Sequence, residues 1–231
     1  MEITYPDFLK STDKRQKVAD ALAHALCMIL EEKGDAIRDE DRISYWLPPK
    51  GQERLILRTS ECGRTAYALY YYFGVPNLTV VNSTTELPIS SQRPDLPLPP
   101  FRHVFLMDPS NRKVTDPTYS QVLRWHSITP QRNPAKFGDL PEIAVFNLEE
   151  IAPFCQTIRN VAAKHASTIP TGSVLFQDEP RDTGAYSRQS LFTTYRRIWR
   201  HANMSPDSLT APRTQLEARR MAEIMREKTG G

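Results

Sequence analysis

Three cysteines occur in the 231-residue chain, Cys27, Cys62 and Cys155, and one of them stands where a thiol can become a nucleophile. A thiolate that attacks a carbonyl carbon needs a lowered pKa, a base that takes up and returns a proton, and a group that orients the base. The first turn of a helix supplies the first of these, because its unpaired N–H groups and macrodipole favour an anion. Cys62, Ala66, Leu69 and Phe73 recur at helical spacing, so a helix is predicted to begin near Cys62. Cys27 lies inside the apolar run Ala25 to Leu30, and Cys155 follows Pro153-Phe154 in another helical pattern; both read as buried small hydrophobes. The base candidate is His103, at the start of an apolar strand pattern ending at Met107. Asp108-Pro109-Ser110-Asn111 is turn chemistry, and Lys113 to Thr115 pairs back as a hairpin. The returning strand then carries Asp116 toward His103, where a carboxylate on one ring nitrogen leaves the other for the sulfur. Asp108 is the rival orienter. Its place at the bend, about 17 Å along the strand from His103, accounts for it as a turn residue.

The elements that must position these groups are legible in outline. A helix is predicted from about Thr12 to Lys33, with Val18, Leu22, Ala25, Leu26 and Ile29 on one face, Ser11 or Thr12 at its start and Gly34 at its end. Pro48-Pro49 ends any regular structure around Tyr45-Trp46-Leu47. Arg54 to Arg58 reads as a short strand. The helix that begins near Cys62 has Thr59 or Ser60 as its expected N-cap, and Gly74 followed by Pro76 stops it. Leu78 to Val81 is a strand pattern, 83–101 a polar loop holding five prolines, and Ile143 to Phe146 a further strand. Helical patterns follow at about 148–166, 188–203 and 213–228. The expected class is α+β, an antiparallel sheet packed against the helix that carries Cys62, with extra N- and C-terminal helices. The expected organisation is one domain over 1–180 and a basic helical C-terminal extension over 181–231.

Composition narrows the functions. With 39% hydrophobic and 25% charged residues the chain is globular rather than disordered. The best apolar run, Ala21 to Leu30, is too short to span a membrane. The N-terminal residues lack a basic segment followed by an apolar one, so no Sec-type signal is expected. A cytoplasmic location is expected, compatible with delivery to another cell by a non-Sec route. Three scattered cysteines suit neither a disulfide framework nor a zinc knuckle. The net charge of +3 is too small to imply a nucleic-acid partner. From Arg181 onward ten Lys/Arg face five Asp/Glu, so the basicity sits in the C-terminal region, where solvated helix faces explain it. Tyr195 to His201 mixes aromatic and basic residues, but Leu191, Tyr195, Ile198 and Ala202 on one inner helix face account for them. His24, His126, His165 and His201 show no metal-ligand spacing, Asp39-Glu40-Asp41 lacks that of a calcium loop, and no Gly-rich phosphate loop is present. No cofactor and no metal is expected.

Ser60-Glu61-Cys62-Gly63-Arg64-Thr65-Ala66-Tyr67-Ala68-Leu69, the closing Phe73-Gly74-Val75-Pro76, His103-Val104-Phe105-Leu106 and Val114-Thr115-Asp116-Pro117-Thr118 together resemble the transglutaminase-like, papain-like cysteine enzyme superfamily. The resemblance covers about residues 55–120. It implies Cys62 as nucleophile, His103 as base and acid, and Asp116 as orienter. Phe105 stands where family members often carry Trp, Glu61 stands where Gly usually precedes the Cys, and the N- and C-terminal helices have no family counterpart.

The implied chemistry is two-step acyl transfer on a protein or peptide substrate: hydrolysis, deamidation or transamidation, the work of a protease, deamidase or transglutaminase. The Cys62 N–H would support the oxyanion, with Trp46 or Gln52 as the second donor. Trp46 also reads as a core aromatic. The alternatives are a non-catalytic interaction module that retains the fold and an acetyltransferase of the arylamine N-acetyltransferase type.

Overall fold

A computed structural model describes residues 2–32, 53–58, 61–85, 101–119, 141–147 and 212–230. The first helix, α1 (Tyr5–Lys10), is capped by Thr4, whose hydroxyl accepts from the Asp7 N–H at 3.3 Å. Ser11 ends α1 and opens α2 (Thr12–Glu32), its hydroxyl accepting from the Lys14 N–H at 3.3 Å. The predicted face of α2 is the buried one: Val18, Leu22, Ala25 and Leu26 have no exposure to speak of, and Ile29 joins them.

Glu53–Arg58 is a 3-10 helix and not the predicted strand. The reason is that Ile56 and Leu57, neighbours in sequence, are both buried, which a strand with one exposed face does not permit. Arg54 ties this turn to α2 through Asp20, with Nη2 to Oδ2 at 2.9 Å.

The Cys62 helix is α3 (Cys62–Phe73). Gly74 terminates it in the left-handed region at φ 59°, its N–H reaching the Tyr70 carbonyl at 3.1 Å. The N-cap is Glu61, without a side-chain cap bond, rather than Thr59 or Ser60. Thr65 does the local work instead: its N–H and hydroxyl both bond the Glu61 carbonyl, at 3.0 and 2.8 Å.

Four strands follow, β1 (Thr79–Thr85), β2 (Phe101–Asp108), β3 (Lys113–Asp116) and β4 (Ala144–Asn147), in an antiparallel sheet of order β1-β2-β3-β4. The α+β class is therefore as expected. β1 is longer than Leu78 to Val81 and takes in residues assigned above to the polar loop, since Ser83, Thr84 and Thr85 pair with His103, Arg102 and Phe101. Ladder pairing uses backbone N–H and C=O groups, so polar side chains do not end it. The remaining loop, 86–100, lies outside the described residues, as do the helical patterns at 148–166 and 188–203, Cys155 and the expected division near residue 180.

Both faces of the sheet are buried. Val80, Val104 and Leu106 point into the helical core, while Val81, Phe105, Met107, Val114 and Phe146 are as deeply buried on the other face. The last helix, α4 (Pro212–Thr229), matches the predicted 213–228 and joins the same core as α2 and α3 through Ala218, Met221, Ala222 and Met225. Burying each methionine contributes about 1.5–3 kcal/mol and each alanine less, so the described part of the C-terminal region is structural to this core. It runs parallel to α3: Arg64 meets Glu217 near the start of both helices, and the Tyr72 hydroxyl meets Thr229 at 3.1 Å near their ends.

Candidate active site

The hairpin between β2 and β3 sets the first half of the site. Asp108 pairs with Lys113 across a four-residue connection, and Leu106 stands opposite Thr115. Continuing that register by one step puts Asp116 beside Phe105, on the same face and diagonal to His103. The diagonal is short enough for an imidazole and a carboxylate to meet: His103 Nε2 and Asp116 Oδ2 are 2.6 Å apart, and neither residue has any exposure. Charge assistance shortens such a bond to about 2.7–2.9 Å, and this one is as short or shorter. The second carboxylate oxygen, Asp116 Oδ1, accepts from the Thr118 N–H at 2.9 Å. Asp116-Pro117-Thr118 thus folds back on itself and fixes the carboxylate that faces His103. The Phe105 ring lies beside the imidazole, centroids 5.9 Å apart.

Asp108 is elsewhere. It is five residues from His103 on β2, and the alternation of the strand points it to the other face. Its carboxylate accepts from the Ser110 N–H at 3.0 Å, the Asn111 N–H at 3.2 Å and Asn111 Nδ2 at 2.7 Å, so it serves the turn.

The second half of the site is the start of α3. Cys62 is half-buried and free, and it lies near enough to the His103 ring to be among the groups that raise its pKa. Burial alone would hold the imidazole pKa down. The Asp116 carboxylate, by its charge and its hydrogen bond, and then Cys62 reverse that and raise it from 6.5 to about 10. The imidazolium is thus favoured at neutral pH, with the Asp116 carboxylate on Nε2. Cys27 differs in kind: burial, aided by the negative charges of Glu53 and Glu31, pushes its thiol up to about 12.

The structure therefore joins His103 to Asp116, keeps Cys62 within electrostatic reach of the ring, and leaves Asp108 apart. Trp46 and Gln52, the expected oxyanion donors, lie outside the described residues. The sequence reading missed the charged groups around Cys62. Arg64 Nη1 bonds Glu61 Oε2 at 2.5 Å, and Arg64 Nε bonds Glu217 Oε2 at 2.6 Å. Spacing i,i+3 hints at the first pair. Nothing local hints at the second, whose partners are 153 residues apart. Among the described residues no cluster of His, Cys, Asp and Glu is arranged to hold a metal ion, and no helix is long and apolar enough to cross a membrane.

No family model, curated protein or solved structure matches the chain.

Proposed function

We propose that this protein is a cysteine-dependent acyl-transfer enzyme acting on an amide or related carbonyl of a protein or peptide, with Cys62 as nucleophile, His103 as proton carrier and Asp116 as its orienter. The observation that carries this reading is the buried 2.6 Å His103–Asp116 bond on an imidazole that also interacts with a half-buried thiol at a helix start. A structural histidine needs one buried partner; this one has a carboxylate and a sulfur.

The steps follow from the atoms. His103 Nε2 is committed to Asp116, which leaves Nδ1 to exchange a proton with the Cys62 sulfur. The thiolate attacks the carbonyl carbon, and the Cys62 N–H, unpaired within the first turn of α3, donates to the developing oxyanion. The imidazolium gives its proton to the departing amine, and an acyl-thioester remains on Cys62. Water attacking with His103 as base yields hydrolysis or deamidation; an amine in its place yields a new amide.

The test uses p-nitrophenyl acetate as acyl donor. We expect a burst of p-nitrophenolate close to one per protein, an acetyl group on Cys62 by peptide mass spectrometry, and loss of both in Cys62→Ser and His103→Gln. Equal release by wild type and Cys62→Ser would remove the proposal.

A further inference from the structure

The residues on either side of Cys62 are held by the far end of the chain. Arg64 is largely buried, with a side-chain exposure of 16%, and its guanidinium joins two carboxylates that are buried still more deeply, Glu61 and Glu217. Glu217 belongs to α4, and its other oxygen accepts from Arg213 Nε at 3.1 Å. Gly63 adds a steric contact: a methyl group there would stand 3.7 Å from the Thr214 methyl, so the first turn of α4 approaches the backbone next to Cys62. Residues 61, 63 and 64 are thus all engaged, two of them by α4, while Cys62 between them acts on His103. Withdrawing several charges from water is costly, and the geometry has to be good for such a cluster to be tolerated. Arg supplies it because its planar fork addresses two carboxylates at fixed directions, which an ammonium does not.

From this we infer that α4 is a positioning element of the active site: Glu217, through Arg64 and Glu61, fixes the first turn of α3 and with it the Cys62 thiol and N–H. The inference rests on the acyl-transfer reading and assigns to Arg64, Glu61 and Glu217 a role in that site. Glu61 and Arg64 flank Cys62 in the first turn of α3, so the three act on the site through Cys62. The link also makes an isolated fragment ending before residue 212 incomplete, although all three proposed catalytic residues would be in it.

Charge and position can be separated because they act in opposite directions in one variant. Glu217→Gln removes a negative charge from the cluster at the first turn of α3, so charge alone predicts a Cys62 at least as reactive as in wild type; loosened positioning predicts a less reactive one. We expect the iodoacetamide alkylation rate of Cys62 in Glu217→Gln to fall about threefold near neutral pH. Arg64→Gln removes the cation that joins Glu61 and Glu217 at the first turn of α3, and the fall should be about tenfold. Arg64→Lys keeps the charge and should recover little of the loss. The structural control is Met221→Ala, which opens the α4 core without touching the ion cluster. It should lower the melting temperature at least as far as Glu217→Gln does and leave the Cys62 rate of the folded protein unchanged. A Glu217→Gln rate at or above wild type, or an equal loss in Met221→Ala, would overturn the inference. Failure of the acyl-transfer reading would look different: wild-type Cys62 would then show no p-nitrophenyl acetate burst, whatever the variants do to alkylation.

Discussion

Replacing Asp116 by Asn changes one atom of the carboxylate, and the structure says which way the new side chain must face. Asp116 Oδ1 accepts from the Thr118 N–H at 2.9 Å, inside a turn where both residues are buried. An amide has a single oxygen, and leaving a buried N–H without an acceptor costs about 1–3 kcal/mol. The oxygen therefore stays on Thr118, and the NH2 group takes the place of Oδ2, facing His103 Nε2. A donor there forces Nε2 to accept, so the ring carries its single proton on Nδ1, toward Cys62. That tautomer cannot take the thiol proton. The carboxylate that offsets the burial of the imidazolium has also gone, and burial then acts to hold the ring pKa down.

A ring that drops from about 10 to its ordinary 6.5 loses about 5 kcal/mol of preference for the imidazolium, an upper bound of between three and four decades in rate. We expect the acylation rate of Asp116→Asn with p-nitrophenyl acetate to fall by about a thousandfold. The fold should persist, because the side chain keeps its volume and the Thr118 bond. The assay pairs stopped-flow release of p-nitrophenolate with amide hydrogen exchange across β2 and β3. A variant that acylates within a few-fold of wild type, with exchange protection unaltered, refutes the reasoning about the tautomer and with it the role of Asp116.

Three further outcomes are expected. Asp108→Asn should leave the acylation rate unchanged, because its oxygen can still accept from the Ser110 and Asn111 N–H groups; any loss should appear as about 1 kcal/mol of stability in urea unfolding, from the 2.7 Å Asn111 Nδ2 contact. Near pH 6, iodoacetamide should modify Cys62 well before Cys27, whose buried thiol is held near 12, as read by tryptic peptide mass spectrometry; equal labelling in folded protein would count against a specialised thiol. His103 has a higher pKa folded than unfolded, so its contribution to stability is complete below about 6.5 and is lost as pH climbs through about 10; the melting temperature should decline over that window, and His103→Gln should flatten the slope.

What could be read from the sequence divides by distance along the chain. The α3 helix was legible because Cys62, Ala66, Leu69 and Phe73 state its period, and Gly74 marks its end with a backbone conformation other residues avoid. The β2–β3 hairpin was legible from Asp108-Pro109-Ser110-Asn111, whose side-chain and turn chemistry is satisfied within four residues. Counting back from that turn carries Asp116 to His103, although the approach is diagonal and not directly opposite. Arg54 to Arg58 misled because two charges around three apolar residues fit a short strand as well as a 3-10 turn, and the choice depends on α2, where Asp20 waits for Arg54. Trp46 and Gln52 remain expectations, since they lie outside the described residues.

The Glu217–Arg64 bond shows why a site cannot be read in full from its own motif. The apolar positions of α4, Ala218, Met221, Ala222 and Met225, announce a buried stripe, and that much follows from spacing alone. Glu217 sits at the edge of the stripe, one residue before Ala218, so any packing of α4 along the stripe carries a carboxylate to the boundary of the core. A carboxylate there needs a cation, and which cation it finds depends on which helix α4 lies against and in which direction it runs. The parallel packing on α3 answers both questions at once: it brings the start of α4 to the start of α3, where Arg64 already holds Glu61. Reversing α4 end for end would keep the same apolar stripe and the same helix content, and would bring Arg226 and Lys228 toward the start of α3 in place of Glu217. The surroundings of the proposed nucleophile are thus decided by the direction of a helix some 150 residues away in sequence, a choice made by long-range packing after the local patterns have been satisfied.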